Sequence, residues 1–96
     1  MFMKTKLERM IIADMVEKLL KAALKTMVSV GEFDKIYKHP TSSRDRVAAI
    51  ELKKILSETD IDSIPLIPLI MMIDSADVWK NILVYMIEAS ASDSDE

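Results

Sequence analysis

With cysteine absent and glycine occurring once, the residues of this 96-residue chain to weigh first for chemistry are its one histidine, its scattered carboxylates and its eight methionines. His39 lies between Lys38 and Pro40. A general base needs an orienting partner and a pocket, and no nearby pattern offers either, so His39 reads as a solvated loop residue. Asp60 and Asp62, with Glu58 close by, have the hardness a divalent cation wants. A calcium loop, however, requires glycine at its sixth position and glutamate at its twelfth. Counted from Asp60, those positions hold Pro65 and Met71. The segment reads instead as an acidic connector that caps the next helix. A single glycine excludes phosphate-binding Walker loops, dinucleotide fingerprints and nucleophile elbows. Without cysteine there is no disulfide, zinc–thiolate site, iron–sulfur cluster or thiol nucleophile. The expectation is a non-enzymatic protein with no cofactor and no metal.

Charge is more informative. Residues 1–54 carry twelve Lys/Arg against seven Asp/Glu, a net +5, and residues 55–96 carry one against nine, a net −8. Such asymmetry predicts a polyanionic partner for the first half, an electrostatic contact between the halves, or two simply solvated faces. Lys38, Arg44, Arg46, Lys53 and Lys54 form a basic group beside Tyr37, of the kind that contacts phosphates. Asp34, Asp45 and Glu51 interrupt it, and the sequence pI is about 5.1.

The stretch Thr41 to Leu56, TSSRDRVAAIELKKIL, resembles a helix in the small terminase subunits of tailed phages. It equally resembles the second half of a HEAT-type repeat. Sixteen residues carry the likeness, and Met1 to Pro40 lacks the helix-turn-helix that would precede them in a small terminase. The terminase resemblance implies a nucleic-acid accessory role for Arg44, Arg46, Lys53 and Lys54.

The elements that must position these residues are helical. From Lys4 to Val30 there is no glycine or proline. Ile12, Val16, Leu19, Leu20, Ala23, Leu24 and Met27 recur at the spacings of an amphipathic helix. Asp14–Lys18 and Glu17–Lys21 add acid-before-base pairs, and Gly31 falls where a left-handed residue would end the helix. Met10, Ile11 and Met15 widen the apolar surface beyond one stripe. A helix of about 25 residues is roughly 37 Å long, more than so short a chain can cover along one side. Part of it should therefore meet another chain.

A short helix from Glu32 to His39 should follow, apolar through Phe33, Ile36 and Tyr37 and stopped by Pro40. Ser42 with Asp45 approximates a capping box for a helix over Ser43 to Glu58, which buries Val47, Ala48, Leu52, Ile55 and Leu56. Ser57 to Ser63 is a connector. The most apolar segment, Ile64 to Ile73, contains Pro65 and Pro68, which argue against a central strand. The preferred reading is a helix over Pro65 to Ile73 with Pro65 at its first position. A start at Pro68, with Ile64 to Ile67 extended, is the alternative. Asp74 then caps a last helix from Ser75 to about Ala89, burying Val78, Trp79, Ile82, Leu83 and Met86. Ser90 to Glu96 reads as a disordered acidic tail.

The chain therefore reads as all-α, a bundle of four to five helices forming one domain over residues 1–89. No apolar run reaches the roughly 20 residues of a membrane span, and no signal-peptide core follows the basic start. A soluble, cytoplasmic protein with no membrane contact is expected. Its mean hydropathy is positive, +0.15, although a chain this short buries only about two-thirds of its unfolded surface. Apolar area should remain for self-association, most simply as a dimer, and for a protein partner. Methionine suits such adaptable surfaces. Ile11, Met15, Ile67, Met71 and Met72 are the expected contacts of an adaptor, regulator or inhibitor. Nucleic-acid contact through Lys38, Arg44, Arg46, Lys53 and Lys54 is the second reading.

Overall fold

The computed structural model describes residues 5–94, and helices joined by short connections account for them, with no strand among the described residues. In order these are α1 (Lys6–Ser29), α2 (Glu32–Lys38), α3 (Ser43–Glu58), a 3₁₀ turn (Ile61–Ser63), α4 (Leu66–Met72) and α5 (Ala76–Ser94).

The start of α1 is a capping box. Thr5 Oγ1 accepts the Glu8 N–H at 3.1 Å, and Glu8 Oε1 accepts the Thr5 N–H at 2.9 Å. Two of the helix's orphan donors are thereby satisfied reciprocally. Both acid–base pairs along α1 form, Lys18–Asp14 at 3.4 Å and Lys21–Glu17 at 2.6 Å. At the other end Gly31 takes the left-handed conformation, φ 74° and ψ 26°, a region closed to most side-chain-bearing residues. That one residue turns the chain directly into α2.

One core cluster holds the helices together. Leu20, Ala23, Leu24 and Met27 of α1 are fully buried, and α1 packs most extensively on α5, whose Val78 and Ile82 are also fully buried. Phe33 of α2 and Ala48, Ala49 and Leu52 of α3 close a second side. The two alanines face inward, and Val47 lies about 100° and 200° round the helix from them. Val47 is consequently turned out and 52% exposed, against the expectation that it would be buried. Leu83, also expected to be buried, is corrected in the same way, and Tyr37 is exposed too. Each lies about 100° around its helix from a residue that does face inward, Ile82 and Ile36 respectively.

The helix of the apolar segment begins one residue later than expected, so each proline sits one helical position earlier. Pro65 is the N-cap of α4 and its carbonyl accepts the first helical bond, from Leu69 N–H at 3.1 Å. Pro68 therefore occupies the third helical position, where an N–H has no partner within the helix. Neither proline removes a hydrogen bond. Leu69 and Ile73 go into the core, and Ile61 of the connector joins them.

The junction of α3 and α5 is polar. Ser42 caps α3 by accepting the Asp45 N–H at 3.2 Å. The reciprocal half of that capping box is absent, because the Asp45 carboxylate, 5% exposed, turns inward. It accepts the hydroxyls of Ser75 and Thr41. Ser75 also caps α5 through the Val78 N–H at 3.2 Å, so Ser75 and not Asp74 begins that helix. Asp77 shares the Thr41 hydroxyl at 2.6 Å. The last helix runs on to Ser94, beyond the expected end near Ala89. Ala89 and Ala91 are strong helix formers and no glycine or proline intervenes. The remainder of the expected tail, residues 95 and 96, lies outside the described residues.

The Ser75 hydroxyl, and after it Thr41, hold the Asp45 carboxyl below its ordinary value. A carboxyl depressed in the fold contributes stability above its unfolded pKa of about 3.9 and loses it as pH falls through that value toward the folded one. Asp45→Asn should lower the melting temperature at pH 7 and flatten its decline below about pH 4. Thermal scans across pH check this; equal curves for both proteins would refute the role given to Asp45.

Candidate interaction surface

Two rows of apolar side chains run the length of α1 at i, i+4 spacing. One is Leu7, Ile11, Met15, Leu19, Ala23 and Met27; the other is Ile12, Val16, Leu20, Leu24 and Val28. Each successive residue lies about 40° further round the helix, so neither row keeps to one face. What divides buried from exposed is position along the axis. From Leu20 onward both rows enter the core, except for Val28 at the end. Before Leu19 every large apolar residue of α1 is exposed, from 37% at Val16 to 66% at Leu7. Ile11 and Met15, expected at an interface, sit in the middle of this segment. Leu7, Met10, Ile12 and Val16 belong to it as well.

A second exposed pair occupies α4. Ile67 and Met71 are one helical turn apart and 62% and 76% exposed. Met72, expected beside them, is half-buried and packs against the core. It points away from the surface its neighbour presents. The outer side of α5 carries a third group, Leu83, Val84 and Ile87, all exposed.

The basic residues are spread over α2 and α3 and all are exposed. The Arg46 guanidinium lies 5.4 Å from the centre of the Tyr37 ring, within cation–π range. Tyr37, Ile50, Lys53 and Lys54 line an open groove of about 320 Å³ between the two helices. Lys53 is engaged by Asp34 at 2.5 Å, and that ammonium holds the Asp34 carboxyl below its ordinary value. Lys38 stands near enough for its charge to act on Asp34 too. Arg44 faces Asp74 at 4.0 Å. Lys54 forms no ion pair among the described residues. With Lys25–Asp62 at 2.9 Å, Arg44–Asp74 joins the basic first half of the chain to its acidic second half.

The residues considered for chemistry serve local structure. His39 ends α2, its N–H donating to the Lys35 carbonyl at 3.0 Å, and its side chain is exposed. Asp60 caps the 3₁₀ turn by accepting the Asp62 N–H at 3.2 Å. The Asp62 carboxylate takes Lys25, and its carbonyl oxygen accepts the buried Lys21 ammonium at 3.3 Å. Among the described residues no three carboxylate, histidine or cysteine side chains gather into a ligand set. No described helix is long and apolar enough to cross a membrane.

No protein-family model, curated protein or solved structure matches this chain. The surface alone must carry the functional argument. Adjacent methionines offer a direct check on which side faces out. Met71→Glu should change folding stability by no more than about 0.5 kcal/mol. Met72→Glu, which forces a charge against the core, should cost about 2 kcal/mol or more. Chemical denaturation of the two variants measures both. The reverse order would invert the orientation assigned to α4.

Proposed function

We propose that this chain is a non-enzymatic helical interaction protein that associates with its own copies through apolar helix faces and acts on a protein partner as an adaptor, regulator or inhibitor. The observation that carries the reading is the first half of α1, six large apolar residues in three turns, none of them buried. Single exposed hydrophobics are ordinary, but contiguous patches of several hundred Å² mark interaction sites. The exposed Ile67 and Met71 of α4 supply a separate contact for a partner.

A nucleic-acid accessory role for the α2–α3 face is the second reading, favoured by Arg46 stacked on Tyr37 beside Lys54. It ranks lower because Lys53 and Arg44 already face Asp34 and Asp74.

Salt separates the two. Phosphate binding weakens steeply as salt rises, whereas apolar association responds little. Light scattering should give about twice the 10.9 kDa chain mass at low and high salt alike. A mass of one chain at every salt concentration would contradict self-association. Salt-sensitive binding of duplex DNA by a single chain would favour the second reading.

A further inference from the structure

We infer that the groove between α2 and α3 is a docking site for an acidic segment of a protein partner, one that seats an apolar side chain between flanking carboxylates. The inference rests on the partner side of the proposed function and needs no self-association.

The floor of the groove is apolar. Phe33 and Ala49 close it and are buried, and Tyr37 and Ile50 stand along it, 42% and 43% exposed. Its volume, about 320 Å³, is at the small end of ligand cavities and suits one large side chain. Arg46, Ile50 and Lys54 follow one another at i, i+4 spacing on α3, so a cation stands about 6 Å along the axis to either side of Ile50. Among the described residues neither cation forms an ion pair, and Arg46 lies over the Tyr37 ring at 5.4 Å. Lys38, in the last turn of α2, adds a third positive charge. Asp34, the acid on the lining, is neutralised by Lys53 at 2.5 Å. Glu51 lines a different cavity with Arg44 and Asp74. What complements this surface is apolar in the middle and negative on both sides.

Nucleic acid fits less well. Duplex-binding proteins neutralise on the order of six to ten phosphates, and here three cations stand without an acid. The Tyr37 ring, which a base would need for stacking, already carries Arg46.

Fluorescence anisotropy of the full chain with three labelled probes tests the assignment. The probes are a polyglutamate peptide with one central phenylalanine, its twin with serine at the centre, and oligothymidylate. The phenylalanine peptide should bind, and its twin should bind about tenfold more weakly, the loss of one buried apolar side chain. Ile50→Glu should remove that preference, and Lys54→Glu should weaken the phenylalanine peptide by about fivefold. Lys18→Glu, the same change of charge on α1, should leave its affinity unaltered. All three positions are exposed, so the variants keep the fold. Equal affinity for the two peptides, tighter binding of oligothymidylate, or no binding of either peptide would overturn the docking site. Light scattering on the same samples separates the claims. A two-chain mass would then leave the interaction reading standing, and a one-chain mass would remove both.

Discussion

The second half of α1, laid against α5, is the contact on which the molecule depends. Leu20, Ala23, Leu24 and Met27 meet a core that also takes Phe33, Leu52, Leu69, Val78 and Ile82, and the other helices are placed by what they add to it. An α-helix is one stiff rod, about 36 Å long at 24 residues. Its second half therefore fixes where its first half goes, and the apolar side chains there stay exposed among the described residues. The exposed row from Leu7 to Val16 follows from rigidity and from the small size of the core. It is not a local defect of packing. Thr5 and Glu8 make the extension firm, since a capped helix end resists fraying.

Polar contacts do a different job. Asp45, Ser75, Thr41 and Asp77 join the starts of α3 and α5, and among the described residues no buried side-chain polar atom lacks a partner. Tyr85, whose hydroxyl donates to Glu32 at 3.0 Å, ties α5 to the start of α2. Burial, and then that neighbouring carboxylate, push its phenol up. Hydrogen bonds of this kind set which helix ends meet, whereas the apolar cluster supplies the driving force. Lys21 shows the two together: its stem is buried, and its ammonium is shared by Glu17 and the Asp62 carbonyl.

Much of this was legible in the sequence. Periodicity, Gly31, Pro40 and Ser42 set the element order and most boundaries, and the excess of apolar residues on α1 forecast a segment the core would not cover. Where the reading missed, the signal was ambiguous or lay in another part of the chain. Apolar residues occupy more than one side of α1 and α5, so spacing alone does not say whether Ile82 or Leu83 turns inward. The choice between Val47 and Ala49 depends on how closely a neighbouring helix approaches. Asp45 looked like a local cap because its partner Ser75 lies thirty residues away. The spacing of Thr5 and Glu8 is itself the signature of the capping box that forms there. Of the residues expected at an interface, Ile11, Met15, Ile67 and Met71 are exposed, while Met72 differs from Met71 only by a rotation of about 100°.

Amide hydrogen exchange along α1, followed over a wide range of protein concentration, tests the central claim most directly. If another copy covers the first half of the helix, amides from Met10 to Val16 exchange slowly in concentrated solution and quicken on dilution. Those from Leu20 to Met27 stay protected throughout. Exchange in the first half that is fast at every concentration, or slow at every concentration, would contradict the account.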